Sequence, residues 1–444
     1  MRKTMKGMSD FLGALHPVRL VFAGYVSYIV VGWIVLCLPF SQRGAGASAL
    51  DNLFASTSAV STTGLVTTSL SGSYSLCGQA VILLLIQLGG LGYMTLSSFV
   101  IISHRRSLSE ARAGVANVVF SLPESFRMDK FLRSVIVFTV VIEAVGAGVL
   151  YAIFARAGQT HPLWSAVFHS ISSFCTAGFS LNDNSFEGFA GHFWLNITVA
   201  VVSYAGAVGF IVWVDVWRRI TNRIPRMTLT SKIILHCTVW VSLIGTLAIF
   251  LGEPSIQLLR VDKRFLAAFF QAMAAMTTVG FNTVSISAIS RASLLVLTTL
   301  MIIGASPSGT GGGLKSTTFT ALLGIMRSAL RGEERVYFWG RRVPERRVRL
   351  AVATCCFYMS FLLLGVYFLT LTEDMDFEAI VFESASALGT VGLSTGITPM
   401  LSNLGKVIVT FLMFVGRLGP LTFGMVLFLS GKPALPEEDE DVAI

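Results

Sequence analysis

Four short segments of this 444-residue chain join threonine, a small or branched residue and glycine, each followed by an apolar side chain. They are Thr62-Thr63-Gly64-Leu65, Thr176-Ala177-Gly178-Phe179, Thr278-Val279-Gly280-Phe281 and Thr390-Val391-Gly392-Leu393. None of these residues is an acid, a base or a strong nucleophile, so the chemistry on offer belongs to the main chain. Glycine tolerates a positive φ, which turns successive carbonyl oxygens to one side. Such neutral oxygens can replace the water shell of K⁺, which is held less tightly than that of Na⁺; carboxylates favour harder ions. No Asp or Glu lies within two residues of the four glycines, which argues against an acidic, calcium-type ring. The hydroxyls of Thr62, Thr63, Thr176, Thr278 and Thr390 are expected near the same axis.

Each turn closes a short apolar run. In FLAAFFQAMAAMTTVGFN (265–282), Phe265 to Met276 has helical spacing but stops after a dozen residues. That is about 18 Å of helix, too little to cross a hydrocarbon core of ~30 Å. The stretches 51–65, 163–179 and 377–393 have the same plan. One such turn would read as an ordinary helix C-cap. Four copies whose glycines recur at intervals of roughly 110 residues read instead as an internal repeat. Irregular backbone at membrane depth survives only inside protein or against a water-filled path, so the four turns need a shared enclosure, most simply a ring.

The composition agrees. Hydrophobic residues make up 54% and charged residues 13%, and the mean hydropathy is +0.73, where a soluble domain carries about 25% charged residues. Apolar runs of ~20 residues without a period of two predict an all-α integral membrane protein. Long apolar segments fall near 19–41, 79–103, 131–155, 192–216, 231–252, 292–326, 350–371 and 403–430. The order long helix, half helix, turn, long helix, basic loop therefore recurs. It divides the chain into a cytoplasmic N-terminus (1–18), a first repeat (19–104), a second with its preceding cytoplasmic loop (105–217), a third (218–328), a fourth (329–430) and a tail (431–444). The expected architecture is four outer helix–pore helix–inner helix repeats in a pseudo-four-fold arrangement around one central pore.

Orientation follows from the basic residues. Arg105, Arg106, Arg112, Arg127, Lys130 and Arg133 follow the second long segment; Arg218, Arg219, Arg223, Arg226 and Lys232 follow the fourth; Arg327, Arg331, Arg335, Arg341, Arg342, Arg346, Arg347 and Arg349 follow the sixth. With Arg2, Lys3 and Lys6 they face the cytoplasm by the positive-inside rule. Eight spans then keep both termini inside, and the half helices enter from outside. The start of the chain lacks the apolar core of a removable signal peptide. The tail PEEDEDV (436–442) reads as disordered. The six cysteines show no C-x-x-C spacing and read as small hydrophobes rather than metal ligands.

Two further features concern the path. The segment 292–326 is too long for one span and is interrupted by GASPSGTGGGLK (304–315). Pro307 with Gly309, Gly311, Gly312 and Gly313 cannot continue a helix, so an intramembrane loop running from Gly304 through Ser306 to Lys315 is expected below the turns. Its GTGGGLKST run departs from a P-loop, because Leu314 separates the last glycine from the lysine and no strand precedes it. Arg417 lies within the last apolar segment, where a guanidinium costs at least ~2.5–3.5 kcal/mol unless it faces the interior; carbonyls freed by the broken loop are natural partners. The loop and Arg417 together are the expected gate. Gly89, Gly90 and Gly92, Gly206 and Gly209, and Gly416 and Gly419 lie in the other second helices and suit close packing or cavity width. His169 and Glu383, inside the second and fourth half helices, are expected to hydrogen-bond neighbouring backbone or to support the turns.

The fourfold pattern resembles the Trk/Ktr/HKT superfamily of cation transporters over residues ~19–430, and within it the Ktr-type (KtrB) membrane subunit, because the first span begins near Arg19. That resemblance implies a selectivity filter whose ion-binding carbonyls belong to Thr62, Thr63, Thr176, Ala177, Thr278, Val279, Thr390 and Val391 beside Gly64, Gly178, Gly280 and Gly392. Ala177 departs from the branched residue found elsewhere. One glycine per turn implies a shorter filter and looser K⁺ over Na⁺ selectivity. The resemblance further implies K⁺ uptake across the plasma (inner) membrane, Na⁺ stimulation, an Arg417 that closes or restricts the path, and a homodimer docked on a cytoplasmic KtrA-like RCK ring that binds nucleotide. The alternative is a Trk-type transporter coupling K⁺ to H⁺. An enzyme is not expected, since no paired carboxylates, metal-ligand spacing or Ser/His/Asp cluster converge in the spans. No organic cofactor or nucleic acid is expected, and membrane lipid is the surrounding partner. A voltage sensor is absent, because no helix carries arginine at every third position.

Overall fold

The computed structural model describes residues 17–44, 46–104, 128–222, 226–257 and 259–428. The basic N-terminus, Arg105, Arg106, Arg112, Arg127, Arg223 and the acidic tail lie outside the described residues. Helices dominate, in four successive units. The first contains α1 (Pro17–Leu36), α2 (Ala49–Ser61) and α3 (Leu76–His104); the second α4 (Met128–Arg156), α5 (Pro162–Phe174), α6 (Phe193–Ala207) and α7 (Phe210–Ile220). The third contains α8 (Leu229–Gly252), α9 (Val261–Thr277), α10 (Arg291–Ile303) and α11 (Ser316–Leu330); the fourth α12 (Glu345–Thr372), α13 (Phe377–Leu388), α14 (Asn403–Leu418) and α15 (Pro420–Phe428).

The short helices α2, α5, α9 and α13 are started by local chemistry. Ser48 accepts the Asp51 N–H at 3.1 Å, with Asp51 in the first turn, and Pro162 opens α5. Helix α9 begins at Val261, a polar turn earlier than its apolar run, because Asp262, Lys263 and Arg264 stay helical at the surface. Arg264 there lies 4.3 Å over the Phe250 ring.

Around a buried apolar core, the surface also exposes many large apolar side chains. Helix α4 exposes Ile136, Val137, Val140, Val141 and Val145, while Ser56, Thr57, Ser58, Ser61, Ser170, Ser172 and Ser173 are buried in the short helices. Apolar side chains face a hydrocarbon solvent, and polar groups turn inward to find partners. The units close on one another. Helix α3 packs on α5, α6 on α9, α10 on α13, and α14 on α2, so each unit's second long helix leans on the next unit's short helix and the fourth returns to the first.

Among the described residues, three helices are long and apolar enough to cross a membrane unbroken: Ser134–Arg156, Leu229–Gly252 and Glu345–Thr372. The expectation of uninterrupted second helices is corrected in the second and fourth units. Helices α6 and α7 meet at 96° across Val208 and Gly209, and α14 gives way to α15 at Gly419, where φ is +85°. Arg417 consequently stands in the last turn of α14 rather than in mid-helix. The loop after α11 also holds a small hairpin, Tyr337–Phe338 against Arg341–Arg342, turning through Trp339 and Gly340 at positive φ, as two-residue hairpin turns demand.

The return of the fourth unit to the first carries an ion pair, Lys406 Nζ to Asp51 Oδ1 at 2.7 Å, with side chains 14% and 12% exposed. Removing one partner strands a charge in a dry site, at a cost of about 3–5 kcal/mol. Asp51→Asn is expected to melt earlier in detergent by a clear margin, and Asp51→Leu/Lys406→Met to melt closer to the parent than either single change. A loss in the double equal to the sum of the two single losses would show that the pair does not couple.

Candidate functional site

The four turns share one backbone. Each short helix runs into a threonine in the left-handed region: Thr62 (φ 53°), Thr176 (51°), Thr278 (60°) and Thr390 (48°), with the glycine two residues on also at positive φ. The N–H of the intervening residue returns to the carbonyl five residues earlier: Thr63 to Ser58 (2.9 Å), Ala177 to Ser172 (2.8 Å), Val279 to Ala274 (3.1 Å) and Val391 to Ser386 (2.8 Å). Ser58 and Ser386 add hydroxyls that take the Gly64 and Gly392 N–H groups at 3.0 Å. In the third unit Ala274 has no hydroxyl, and its carbonyl takes the Gly280 N–H at 3.4 Å. Donors are thus spent behind the turns, while the carbonyls of Thr63, Ala177, Val279 and Val391 accept no hydrogen bond among the described residues.

Those four carbonyls meet in a closed circuit. A Cβ on Gly64 would stand 2.3 Å from the Ala177 oxygen, and one on Gly178 2.5 Å from the Val279 oxygen. On Gly280 it would stand 1.9 Å from the Val391 oxygen, and on Gly392 2.1 Å from the Thr63 oxygen. Only glycine lets neighbouring turns come this close, and the chain of contacts returns to its start. All twelve filter positions expected from the sequence therefore lie together, with no acidic side chain among them.

In three units the residue nine before the glycine holds the segment that follows the turn. His169 Nε2 pairs with Ser180 Oγ at 3.0 Å, and Gln271 Nε2 donates to the Val284 carbonyl at 3.0 Å. Glu383 accepts Ser394 Oγ at 2.9 Å and the Thr398 hydroxyl. Ala55 is the apolar equivalent in the first unit. Gln271, Ser58 and Ser386 drew no notice in the sequence, because an isolated Gln or Ser in an apolar run gives no signal until the turns are superimposed.

Against the threonines of these turns lies the glycine-rich loop. Gly304 and Gly313 stand against each other at positive φ, and Leu314 N–H returns to the Ile302 carbonyl at 3.0 Å. Ser306 donates to the Ala207 carbonyl, and the Pro307 carbonyl lies beside Gly209. A Cβ on Gly309 would meet the Ala207 carbonyl at 2.4 Å, one on Gly311 the Thr278 hydroxyl at 2.4 Å, and one on Gly312 the Thr390 hydroxyl at 2.2 Å. Lys315 Nζ donates to the Gly311 carbonyl. Thr310, passed over in the sequence between two glycines, pairs its hydroxyl with Thr176 Oγ1 at 3.1 Å and donates to the Phe174 carbonyl at 3.0 Å. Arg417 grips this arrangement, with Nη1 donating to the Thr310 carbonyl and Nη2 to the Gly89 carbonyl at 2.6 Å.

Gly89, Gly206 and Gly416 act by close packing. A Cβ on them would stand 2.1, 1.9 and 2.1 Å from the carbonyls of Val60, Phe174 and Leu388, each four residues before a turn's glycine.

Residues 27–432 match the cation transport protein family TrkH. The chain belongs to the TrkH family. It is 33% identical to the potassium/sodium uptake protein NtpJ of Enterococcus hirae, over 95% of this chain and 94% of the relative. It is 32% identical to the Ktr system potassium uptake protein B of Vibrio alginolyticus, over 96% of this chain and 94% of that one. The Bacillus subtilis protein of the same name is 31% identical, with 92% of each covered. The crystal structure of the potassium transporter TrkH from Vibrio parahaemolyticus matches with a TM-score of 0.74 at 19% identity, covering 92% of this chain and 84% of that one. The fold is therefore that of TrkH, and these TrkH-family relatives are membrane ion transporters rather than enzymes.

Proposed function

We propose that this protein takes up K⁺ across the plasma membrane through a pore at the axis of its four units, with both termini cytoplasmic. The observation that carries this is the closed circuit of glycines and carbonyl oxygens, because it gathers four sets of unpaired main-chain acceptors without one carboxylate. Thr62, Thr63, Thr176, Ala177, Thr278, Val279, Thr390 and Val391 supply the oxygens, and Gly64, Gly178, Gly280 and Gly392 the close approach. The repeats follow the boundaries read from the sequence, 19–104, 105–217, 218–328 and 329–430. Passage is downhill, driven by ~2.3 kcal/mol per charge per 100 mV of membrane potential.

The loop 304–315 with Arg417 is the gate. Its contacts with Thr176, Thr278 and Thr390 support a seat across the route beside the turns. The names of the relatives favour K⁺ as cargo, Na⁺ as a second ion and a Ktr-type system; in our reading Na⁺ stimulates uptake, and a homodimer works with a KtrA-like RCK ring on its basic cytoplasmic loops. A Trk-type coupling to H⁺ is the second reading. The test is growth of a K⁺-uptake-deficient bacterium on low K⁺, followed by liposome flux under imposed K⁺, Na⁺ and pH gradients. Rescue of growth is expected; flux that follows a proton gradient would favour the second reading, and no rescue would overturn both.

Within that filter Glu383→Ala frees the Ser394 and Thr398 hydroxyls and loosens the fourth turn's exit. K⁺ over Na⁺ flux is expected to fall about 3- to 10-fold, the worth of one net hydrogen bond, and Glu383→Gln to fall less.

A further inference from the structure

Glu143 stands in the middle of α4, inside the apolar stretch Ser134–Arg156, and is 9% exposed. An intramembrane carboxyl is costly and demands a reason. Thirty-five residues before its filter glycine the first unit holds Ile29, and neither α8 nor α12 carries an acid beyond Glu345 at the start of α12. The correspondence is exact in space for the first unit: Ser56 donates to the Ile29 carbonyl at 2.8 Å, as Ser170 does to the Glu143 carbonyl at 2.7 Å. The carboxyl is therefore an addition peculiar to the second unit and not part of the shared scaffold.

Its side chain leads to the filter. Gln87 Nε2 of α3 donates to Glu143 Oε2 at 3.3 Å. Cys175 donates its thiol to Gln87 Oε1 at 3.5 Å, and Cys175 immediately precedes Thr176, whose hydroxyl returns to the Cys175 carbonyl at 2.8 Å. Gly90 of the same α3 stretch gives Cys175 room, since a Cβ there would stand 2.7 Å from its sulfur. This second turn carries Ala177 where the third and fourth carry Val279 and Val391. A smaller side chain fills less of the space behind the turn, so its backbone needs holding by other means.

We infer that Glu143 is a positioning residue for the second filter turn, acting through Gln87 on Cys175 to set the discrimination between K⁺ and Na⁺. The inference rests on the four turns being the ion path. The carboxyl group orients the Gln87 amide, so that its oxygen faces the thiol. Without it the amide can rotate, and the Cys175–Thr176 peptide loses one of its side-chain restraints.

The test compares Glu143→Ala, Glu143→Gln, Gln87→Ala and the Glu143→Ala/Gln87→Ala double variant in liposomes, reading the ratio of K⁺ to Na⁺ flux together with the melting temperature. Each alanine variant is expected to lower the ratio about 3- to 10-fold. The double variant is expected to be no worse than either single, because both cut one chain of contacts. Glu143→Gln should keep most of the ratio, since its carbonyl still accepts from Gln87. An unchanged ratio with a lower melting temperature, or additive losses, would overturn the inference. Should Glu143→Ala fail to fold, Gln87→Ala alone decides, because an unchanged ratio there breaks the chain. Gly280→Ser run alongside separates the two levels. If it leaves K⁺ flux intact, the ion-path reading fails; if it stops flux while Gln87→Ala does nothing, only the role of Glu143 fails.

Discussion

Gly280→Ser is expected to stop K⁺ uptake, while Gly396→Ser, at an exposed position four residues after the fourth turn's glycine, leaves it close to the parent level. Both glycines have positive φ, +73° and +97°, so each substitution carries a backbone cost of about 1–2 kcal/mol. They differ in surroundings. A Cβ at Gly280 would stand 1.9 Å from the Val391 oxygen, whereas nothing lies within 4 Å of one at Gly396. The clash at Gly280 is with main chain, which cannot swing aside as a side chain can. Relief must move the Val391 carbonyl, and because every turn abuts the next, that shift passes to Gly392. A displacement near 1 Å in a binding constellation costs about 100-fold, enough to abolish rescue of growth on low K⁺. Equal flux for the two variants, measured in liposomes at matched protein content, would refute a carbonyl ring.

Arg417→Ala is expected to act in the opposite direction and raise K⁺ flux. Its guanidinium holds the Thr310 carbonyl and the Gly89 carbonyl at once, and each hydrogen bond to a charged group is worth about 1.5–3 kcal/mol. Only the Thr310 bond reaches the loop, so losing it weakens the loop's seat by about 1.5–3 kcal/mol, roughly 10- to 100-fold in the balance between seated and displaced loop. Observed flux should rise at least ~10-fold before the open pore itself becomes limiting. Deleting residues 309–312 should mimic the change. Arg417→Lys should fall between, because a single ammonium cannot span both carbonyls as a planar fork does. Flux unchanged in both the alanine and deletion variants would remove the gate assignment.

What the sequence made legible follows from the range of each signal. The turns stand out because Thr-x-Gly after a half-length apolar run recurs at Gly64, Gly178, Gly280 and Gly392, and repetition is visible without coordinates. The loop around Gly309 to Gly313 stands out because that much glycine cannot sit in a helix. The breaks at Gly209 and Gly419 were hidden, since single glycines inside apolar runs look the same whether they bend a helix or let two helices pack. Thr310 was hidden for another reason: its partners, Thr176 and the Phe174 carbonyl, lie more than a hundred residues away. The hairpin at Tyr337–Arg342 is too short to leave any periodicity. Arg417 was legible as an inward-facing charge with a loop carbonyl for partner, which Thr310 supplies; its second partner, the Gly89 carbonyl of α3, was not.

The loop belongs to one quarter of the molecule, yet it touches threonines of three. An assembly of four separate chains opens only when several copies of the same element move in concert, which gives a lag and a steep dependence on stimulus. In the proposed gate a single loop does the work. Single-protein current records should therefore show unblocking as a one-step event, with exponentially distributed dwell times and no intermediate sublevels.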